Sequence, residues 1–180
     1  MSEPNRNVEL KARDSDPRRS LETCERLGAE SSGALAQQDT YFHAPRGRLK
    51  LREEAGGAPH LIAYERPDQP GQRQSSYRIV AVEDAAGLKA ALISALGVKV
   101  VVVKVRQLFL WEGVRIHLDA VDGLGNFIEF EAVAAADSDL SRVEMQVKML
   151  RKAFVIKDAD LLGSSYSDLT LADQDAGERK

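Results

Sequence analysis

Apolar and ionic residues alternate one for one over four separate stretches of this chain. Leu49 and Leu51 interleave with Arg48, Lys50 and Arg52, and Val103 and Val105 with Lys104 and Arg106. Ile116 and Leu118 interleave with Arg115, His117 and Asp119, and Ile128 and Phe130 with Glu129 and Glu131. Successive side chains on a strand point to opposite faces, so each stretch predicts a strand with one aliphatic and one charged face. Taken singly, each fits an antiparallel sheet with a solvated side. Together they do not read that way, because the sign of the charge is sorted by strand: 48–52 and 104–106 are basic and 129–131 is acidic. Like charges on neighbouring strands destabilise a sheet, so a group of opposite sign is expected between them.

The same two-residue period marks the other strands. After a short polar arm over 1–6, Val8, Leu10 and Ala12 alternate with Asn7, Glu9, Lys11 and Arg13. Asp16 as N-cap, Pro17 as first helical residue and Gly28 as a stop bracket a helix with Leu21, Cys24 and Leu27 on one side. Strands are predicted at about 35–44 and 48–54 around the turn Pro45, Arg46, Gly47, then at 60–66 and 76–83, with 68–74 as an exposed loop. Asp84 caps a second helix carrying Leu88, Ala91, Leu92, Ala95 and Leu96, which Gly97 ends. Strands over 98–111, 114–121 and 126–134 follow as an antiparallel meander. Leu140, Val143, Val147, Leu150 and Phe154 define a third helix, followed by a capped turn near 158–163 and a polar tail. The order is α+β, with about eight strands and three main helices. Eight strands closed into a barrel enclose a lumen, although the pattern alone also permits a flatter, curved sheet. Charged side chains can line such a lumen only where water, ligand or metal compensates them.

Composition narrows the reading. With 180 residues and 43% hydrophobic content, the chain supports one domain over 1–180, its core spanning about 5–170. A net charge of −3 speaks against a general nucleic-acid binder, so any anion site must be local. The lone Cys24 cannot form an internal disulfide and reads as core. The polar start and the absence of a long apolar run predict a cytoplasmic protein without membrane contact. No phosphate-loop, nucleophile-elbow or dinucleotide motif occurs, and Gly123 and Gly125 read as turn residues. His43, His60 and His117 carry no assigned chemistry, and Ser165 to Leu169 suggests no mechanism by spacing. Glu9, Glu129 and Glu131 are the metal candidates, since Mg²⁺ prefers carboxylate oxygens. Lys11, Arg48, Lys50, Arg52, Lys104, Arg106 and Arg115 are the groups suited to phosphate oxygens.

These residues resemble the CYTH family, the triphosphate tunnel metalloenzymes, in its class IV adenylate cyclase-like branch. Asn7–Val8–Glu9–Leu10–Lys11 is similar to the family's ExExK signature. The likeness continues in order through Gln38–Asp39–Thr40–Tyr41–Phe42, Gly47–Arg48–Leu49–Lys50–Leu51–Arg52–Glu53 and Lys104–Val105–Arg106. It extends through Leu118–Asp119–Ala120–Val121, Gly123–Leu124–Gly125, Phe127–Ile128–Glu129–Phe130–Glu131 and Ser165–Tyr166–Ser167–Asp168–Leu169. The resemblance implies an eight-stranded antiparallel tunnel with a charged interior and a few covering helices. It implies metal ligation by Glu9, Glu129 and Glu131, and phosphate or catalytic roles for Lys11, Arg52, Lys104 and Arg106. Arg48, Lys50 and Arg115 would add to the phosphate grip, and Asp119 would line the same tunnel. Two positions depart from the family pattern: Asn7 replaces the first glutamate, and Glu65 stands where related cyclases carry a tunnel lysine, with Arg66 as a candidate replacement. The expected activity is Mg²⁺- or Mn²⁺-dependent conversion of ATP to cyclic AMP and pyrophosphate, with Lys11, Lys104 and Arg106 as catalytic cations. The alternatives are hydrolysis of inorganic triphosphate, thiamine triphosphate or a nucleoside triphosphate, and a non-catalytic sensor of a phosphorylated metabolite. The partner expected is a triphosphate-bearing small molecule, on a monomer or homodimer.

Overall fold

In a computed structural model that describes residues 5–65, 68–134 and 140–177, eight antiparallel strands close into a barrel. The strands are β1 (Asn5–Arg13), β2 (Glu30–Phe42), β3 (Arg48–Glu54), β4 (His60–Glu65), β5 (Arg73–Ala81), β6 (Val98–Trp111), β7 (Val114–Val121) and β8 (Gly125–Ala134). Around the ring they run β1-β5-β4-β3-β2-β6-β7-β8. Four helices accompany them: α1 (Pro17–Arg26), α2 (Ala85–Leu96), α3 (Ser141–Ala153) and α4 (Tyr166–Gly177). A single 3₁₀ turn, Asp158–Asp160, leads from α3 towards α4. No helix among the described residues is long and apolar enough to cross a membrane.

Local sequence sets the boundaries. The Asp16 carboxylate accepts from the Arg19 N–H at 3.1 Å and starts α1, with Pro17 in the first turn, where its missing N–H costs nothing. Asp84 caps α2 in the same way through the Gly87 N–H at 2.9 Å. The β6–β7 connection is a two-residue turn in which Glu112 and Gly113 both take positive φ, the geometry that follows strand twist.

The aliphatic faces point outward and form the main core. Val8, Leu10 and Ala12 of β1, Ile116 of β7 and Ile128 and Phe130 of β8 pack under Val147, Leu150 and Phe154 of the α3 segment and Cys24 of α1. The Phe130 and Phe154 rings meet edge to face at 5.2 Å. With the aliphatics outside, the ionic rows of β1, β3, β6, β7 and β8 turn into the barrel.

Three predicted boundaries shift. β2 begins at Glu30 rather than 35, because pairing with β6 carries the polar residues around Ser31 into the ladder through an irregularity at Gly33. β5 begins at Arg73, inside the segment predicted as an exposed loop, and Arg73 is buried. The polar tail is in part a fourth helix, started by a reciprocal cap between Ser165 and Asp168.

Candidate functional site

The barrel encloses a cavity lined by ionic residues from six strands: Glu9 and Lys11 of β1, Asp39 of β2, Lys50 and Arg52 of β3, Lys104 and Arg106 of β6, Arg115 and His117 of β7, and Glu129 and Glu131 of β8. Register brings them together. Glu9 stands opposite Glu131 and Lys11 opposite Glu129 across β1 and β8, while Arg52 faces Asp39 and Arg106 faces Asp119 across neighbouring strands. The strand alternation read from the sequence thus becomes a ring of charge.

The cations form a band from β3 across β2 to β6. The Asp39 carboxylate, 2% exposed, anchors its first half: it accepts from Lys50 Nζ at 2.8 Å and from Arg52 Nε and Nη2 at 2.7 Å each. Burial alone would raise Asp39, but Lys50 and Arg52 outweigh it and hold the carboxyl well below its ordinary range. Asp119 does the same for the second half, accepting from Arg106 Nε at 2.7 Å and lying 3.5 Å from Lys104 Nζ. Against the pull of burial, Arg106 and Lys104 keep Asp119 ionised. Burial and the nearby Arg52 guanidinium bring Lys50 down to about 8. Lys104 is pushed well below the usual lysine range by burial and by Arg106. Both lysines are therefore poised to gain from a second anion.

The acidic side is equally engaged. Glu129 lies 3.3 Å from Lys11 Nζ, accepts from Arg106 Nη2 at 2.9 Å and stands 3.5 Å from His117 Nδ1. Burial opposes its ionisation, yet Lys11 and His117 hold it well below the carboxylate range. Burial and Arg106 lower His117, which is therefore neutral at pH 7. Glu131 accepts from Asn7 Nδ2 at 2.7 Å and pairs with Arg115 at 3.4 Å. Glu9 accepts from Arg73 Nε at 2.7 Å, and the Arg73 side chain is fully enclosed, donating also to the Gln69 and Leu162 carbonyls.

The C-terminal segment enters the lumen. Tyr166 at the start of α4 donates to Asp119 at 2.9 Å, and its ring lies under Lys11 Nζ at 3.6 Å and near Lys104 Nζ at 5.1 Å. Cation–π contact and the phenol hydrogen bond place this tyrosine among the lumen cations.

Asn7, Glu9, Glu129 and Glu131 supply only hard oxygen donors to one region of paired strands. Asn7 Oδ1 is buried there without a hydrogen-bond partner, an acceptor available to a cation. Among the described residues no three His, Cys, Asp or Glu side chains form a ready-made cluster. The donors therefore fit a divalent cation in kind, and each of the three carboxylates is paired with a lysine or arginine.

Of the residues singled out from sequence, Glu9, Lys11, Lys50, Arg52, Lys104, Arg106, Arg115, Glu129 and Glu131 line the cavity. Asp119 lies just behind its wall, its side chain without exposure. Arg48 does not line it; its guanidinium is clamped by Asp68 at 2.7 Å and Asp168 at 3.0 Å. Glu65 is exposed on β4, and Arg66 lies outside the described residues. Sequence reasoning missed Asp39, Arg73, His117 and Tyr166 as site residues, together with the uncharged lining Ile62, Tyr64, Ser75, Tyr77 and Ile79. Strand parity was a usable signal for His117, and the Ser165–Asp168 cap for Tyr166.

Known proteins share this architecture. A curated Methanocaldococcus jannaschii protein named "putative adenylate cyclase" is 25% identical over 172 residues, covering 90% of this chain and 97% of that protein. A solved Vibrio parahaemolyticus structure, also titled a putative adenylate cyclase, superposes with a TM-score of 0.75 at 20% identity, covering 94% of this chain and 99% of that one. A Hippeastrum putative adenylyl cyclase described as having a dominant triphosphatase activity superposes with a TM-score of 0.61 at 16% identity, covering 93% of this chain and 94% of that one. The CYTH domain matches residues 5–162, which include all eight strands of the barrel and α3. The chain belongs to the CYTH family.

Proposed function

We propose that this protein is a divalent-metal-dependent enzyme that holds a triphosphate in its tunnel and converts ATP to cyclic AMP and pyrophosphate. The observation that carries the reading is the convergence of Lys11, Lys50, Arg52, Lys104 and Arg106 in one lumen. Two of these cations, Lys50 and Lys104, have their charge disfavoured by burial and like-charged neighbours. A polyanion would relieve that cost through charge-assisted hydrogen bonds in a low-dielectric site.

The reaction forms a bond from the ribose 3′-oxygen to the α-phosphorus, releases the hydroxyl proton to water, and breaks the bond from that phosphorus to the bridging oxygen of pyrophosphate. Charge develops on the phosphoryl oxygens and on the leaving group. Lys104 and Arg106, held by Asp119, and Lys11, stacked on Tyr166, are fixed donors that stabilise that charge without reorganising. Lys50 and Arg52 neutralise the departing pyrophosphate. CYTH tunnel enzymes use divalent metals, and Glu9, Glu129, Glu131 and Asn7 are the residues that would hold one here. When bound, such an ion supplies Lewis-acid stabilisation of phosphoryl oxygens and lowers the cost of deprotonating the attacking hydroxyl.

The second reading is hydrolysis of a triphosphate in the same lumen, supported by the triphosphatase activity named for the Hippeastrum neighbour. Product separation decides between them. Protein incubated with ATP, GTP, thiamine triphosphate or inorganic tripolyphosphate, with Mg²⁺ or Mn²⁺, is expected to give cyclic AMP and pyrophosphate from ATP. Release of orthophosphate without cyclic nucleotide would replace cyclisation by hydrolysis.

A further inference from the structure

One wall of the lumen differs from the others. β4 and β5 line the cavity with Ile62, Tyr64, Ser75, Tyr77 and Ile79, none of them charged. Ile62 stands directly opposite Ile79 and Tyr64 opposite Tyr77, so the four side chains form a two-by-two apolar and aromatic patch. The polarity of β5 is the reverse of that on the charged strands: Gln74, Ser76 and Arg78 are exposed on its outer face while Tyr77 and Ile79 face the tunnel.

The β5 half of this patch is not part of the folding core, whereas on β4 Ile62 is buried and Tyr64 packs against the cluster of Tyr41 and Tyr166. Tyr77 and Ile79 belong to neither hydrophobic cluster, and Ile79 is 51% exposed. Apolar surface left facing water contributes nothing to stability, and here it faces a cavity whose other walls are ionic. Its position relative to those ions is specific. Lys50 pairs directly with Ile62 across β3 and β4, and the Tyr64 ring lies 5.8 Å from Lys50 Nζ. The apolar patch therefore begins where the cationic band ends. A ligand spanning both is anionic at one end and flat and apolar at the other.

We propose that Ile62, Tyr64, Tyr77 and Ile79 seat the planar organic group of the substrate, so that the tunnel selects a nucleoside triphosphate over inorganic triphosphate. The inference rests on the triphosphate reading above and adds to it the part of the substrate that is not phosphate. Aromatic rings and aliphatic side chains stack on any nucleobase face, which makes the patch a determinant of class rather than of base identity. Inorganic triphosphate carries ionic oxygens along its whole length and gains nothing from this wall.

The test uses the full chain with Mg²⁺ at low temperature and two probes, the ATP analogue with a methylene bridge between the α- and β-phosphorus and inorganic tripolyphosphate. Affinities are measured by calorimetry for the wild type, Tyr77→Ala and Ile79→Ser; the second variant alters a half-exposed side chain and spares the core. Tyr77→Ala is expected to weaken the nucleotide analogue about tenfold, the scale of one lost base–aromatic stack, and Ile79→Ser to weaken it about threefold for the lost apolar contact. Ile79→Ser leaves tripolyphosphate within about twofold, and Tyr77→Ala, whose phenol also bonds Arg115, weakens tripolyphosphate less than the nucleotide. Equal weakening of both probes, or no weakening of the nucleotide, overturns the proposal while leaving the triphosphate reading intact. Absence of binding by either probe to the wild type overturns that reading and the inference with it.

Discussion

At the scale of single residues, the lumen is a set of cations whose neutralisation is incomplete without a ligand. Lys50 shows this best. Its pKa is brought down to about 8 by burial and by Arg52, so it is protonated at neutral pH and loses its proton as pH rises through that value. Tripolyphosphate affinity is therefore expected to fall through a transition near pH 8, and Lys50→Arg to flatten it, because a guanidinium does not titrate there. Calorimetric titrations across that range check it; an unchanged profile in the variant would assign the transition to another group. Asp39 works in the opposite direction, since its carboxylate occupies the donors of Lys50 and Arg52 that a phosphate would use. Asp39→Asn leaves the buried Lys50 and the partly buried Arg52 without their counter-charge. It should cost about 3 kcal/mol in denaturant unfolding, the scale of a broken buried pair, while tightening tripolyphosphate binding. Loss of affinity together with stability would show that Asp39 orients the cations for the ligand.

Strand parity explains how much of this site the sequence carried. Side-chain alternation placed Lys50, Arg52, Lys104, Arg106, Glu129 and Glu131 on the charged faces of their strands, the family resemblance turned those faces inward, and all six line the cavity. Parity says which face a residue takes but not how far along the barrel it sits. Arg48 shares the row of Lys50 and Arg52, yet it lies beyond the cavity in the grip of Asp68 and Asp168. Arg73 was hidden for another reason: its neighbours Gly71, Gln72 and Gln74 have loop composition, and only the pairing of β5 with β1 brings it onto Glu9.

Among the elements, the helices were legible in proportion to the apolar face they bury. α3 covers β1, β7 and β8 with Val147 and Leu150, both without exposure, and its helical spacing was plain in the sequence. α4 buries only Tyr166 and Ser167 fully, so its spacing was faint, and the Ser165–Asp168 capping box was its one local signal. The two helices predict different variant behaviour. Phe130→Ala removes a fully buried ring from the β8 face under α3, where it meets Phe154. It should lower unfolding free energy by about 3–5 kcal/mol, measured by denaturant titration. Tyr166→Phe, by contrast, keeps the ring beneath Lys11 and removes only the hydrogen bond to Asp119. Its expected cost is about 1 kcal/mol, and a larger loss would show that the phenol hydroxyl is needed to hold Asp119 in place.

The molecule as a whole couples its two kinds of charge. Each candidate metal carboxylate is occupied by a neighbouring cation: Glu9 by the enclosed Arg73, and, within the lumen, Glu129 by Lys11 and Arg106 and Glu131 by Arg115. A divalent cation entering alone must compete with those partners, whereas a polyanion draws Lys11, Arg106 and Arg115 towards itself and frees the oxygens they held. By linkage, whatever the triphosphate gains from the metal, the metal gains from the triphosphate. Mn²⁺ binding to the protein alone is thus expected to be weak, and in the presence of tripolyphosphate to strengthen by about tenfold or more, within the usual range of coupling between sites. Water-proton relaxation reads the slowly tumbling protein-bound Mn²⁺ and separates it from Mn²⁺ chelated by free tripolyphosphate. Glu131→Gln should abolish most of that enhancement while leaving metal-free tripolyphosphate binding in place, since the lysines and arginines of β1, β3 and β6 are untouched. Strong Mn²⁺ binding without tripolyphosphate would mean that the carboxylates form a metal site on their own, with the surrounding ion pairs yielding to the cation unaided.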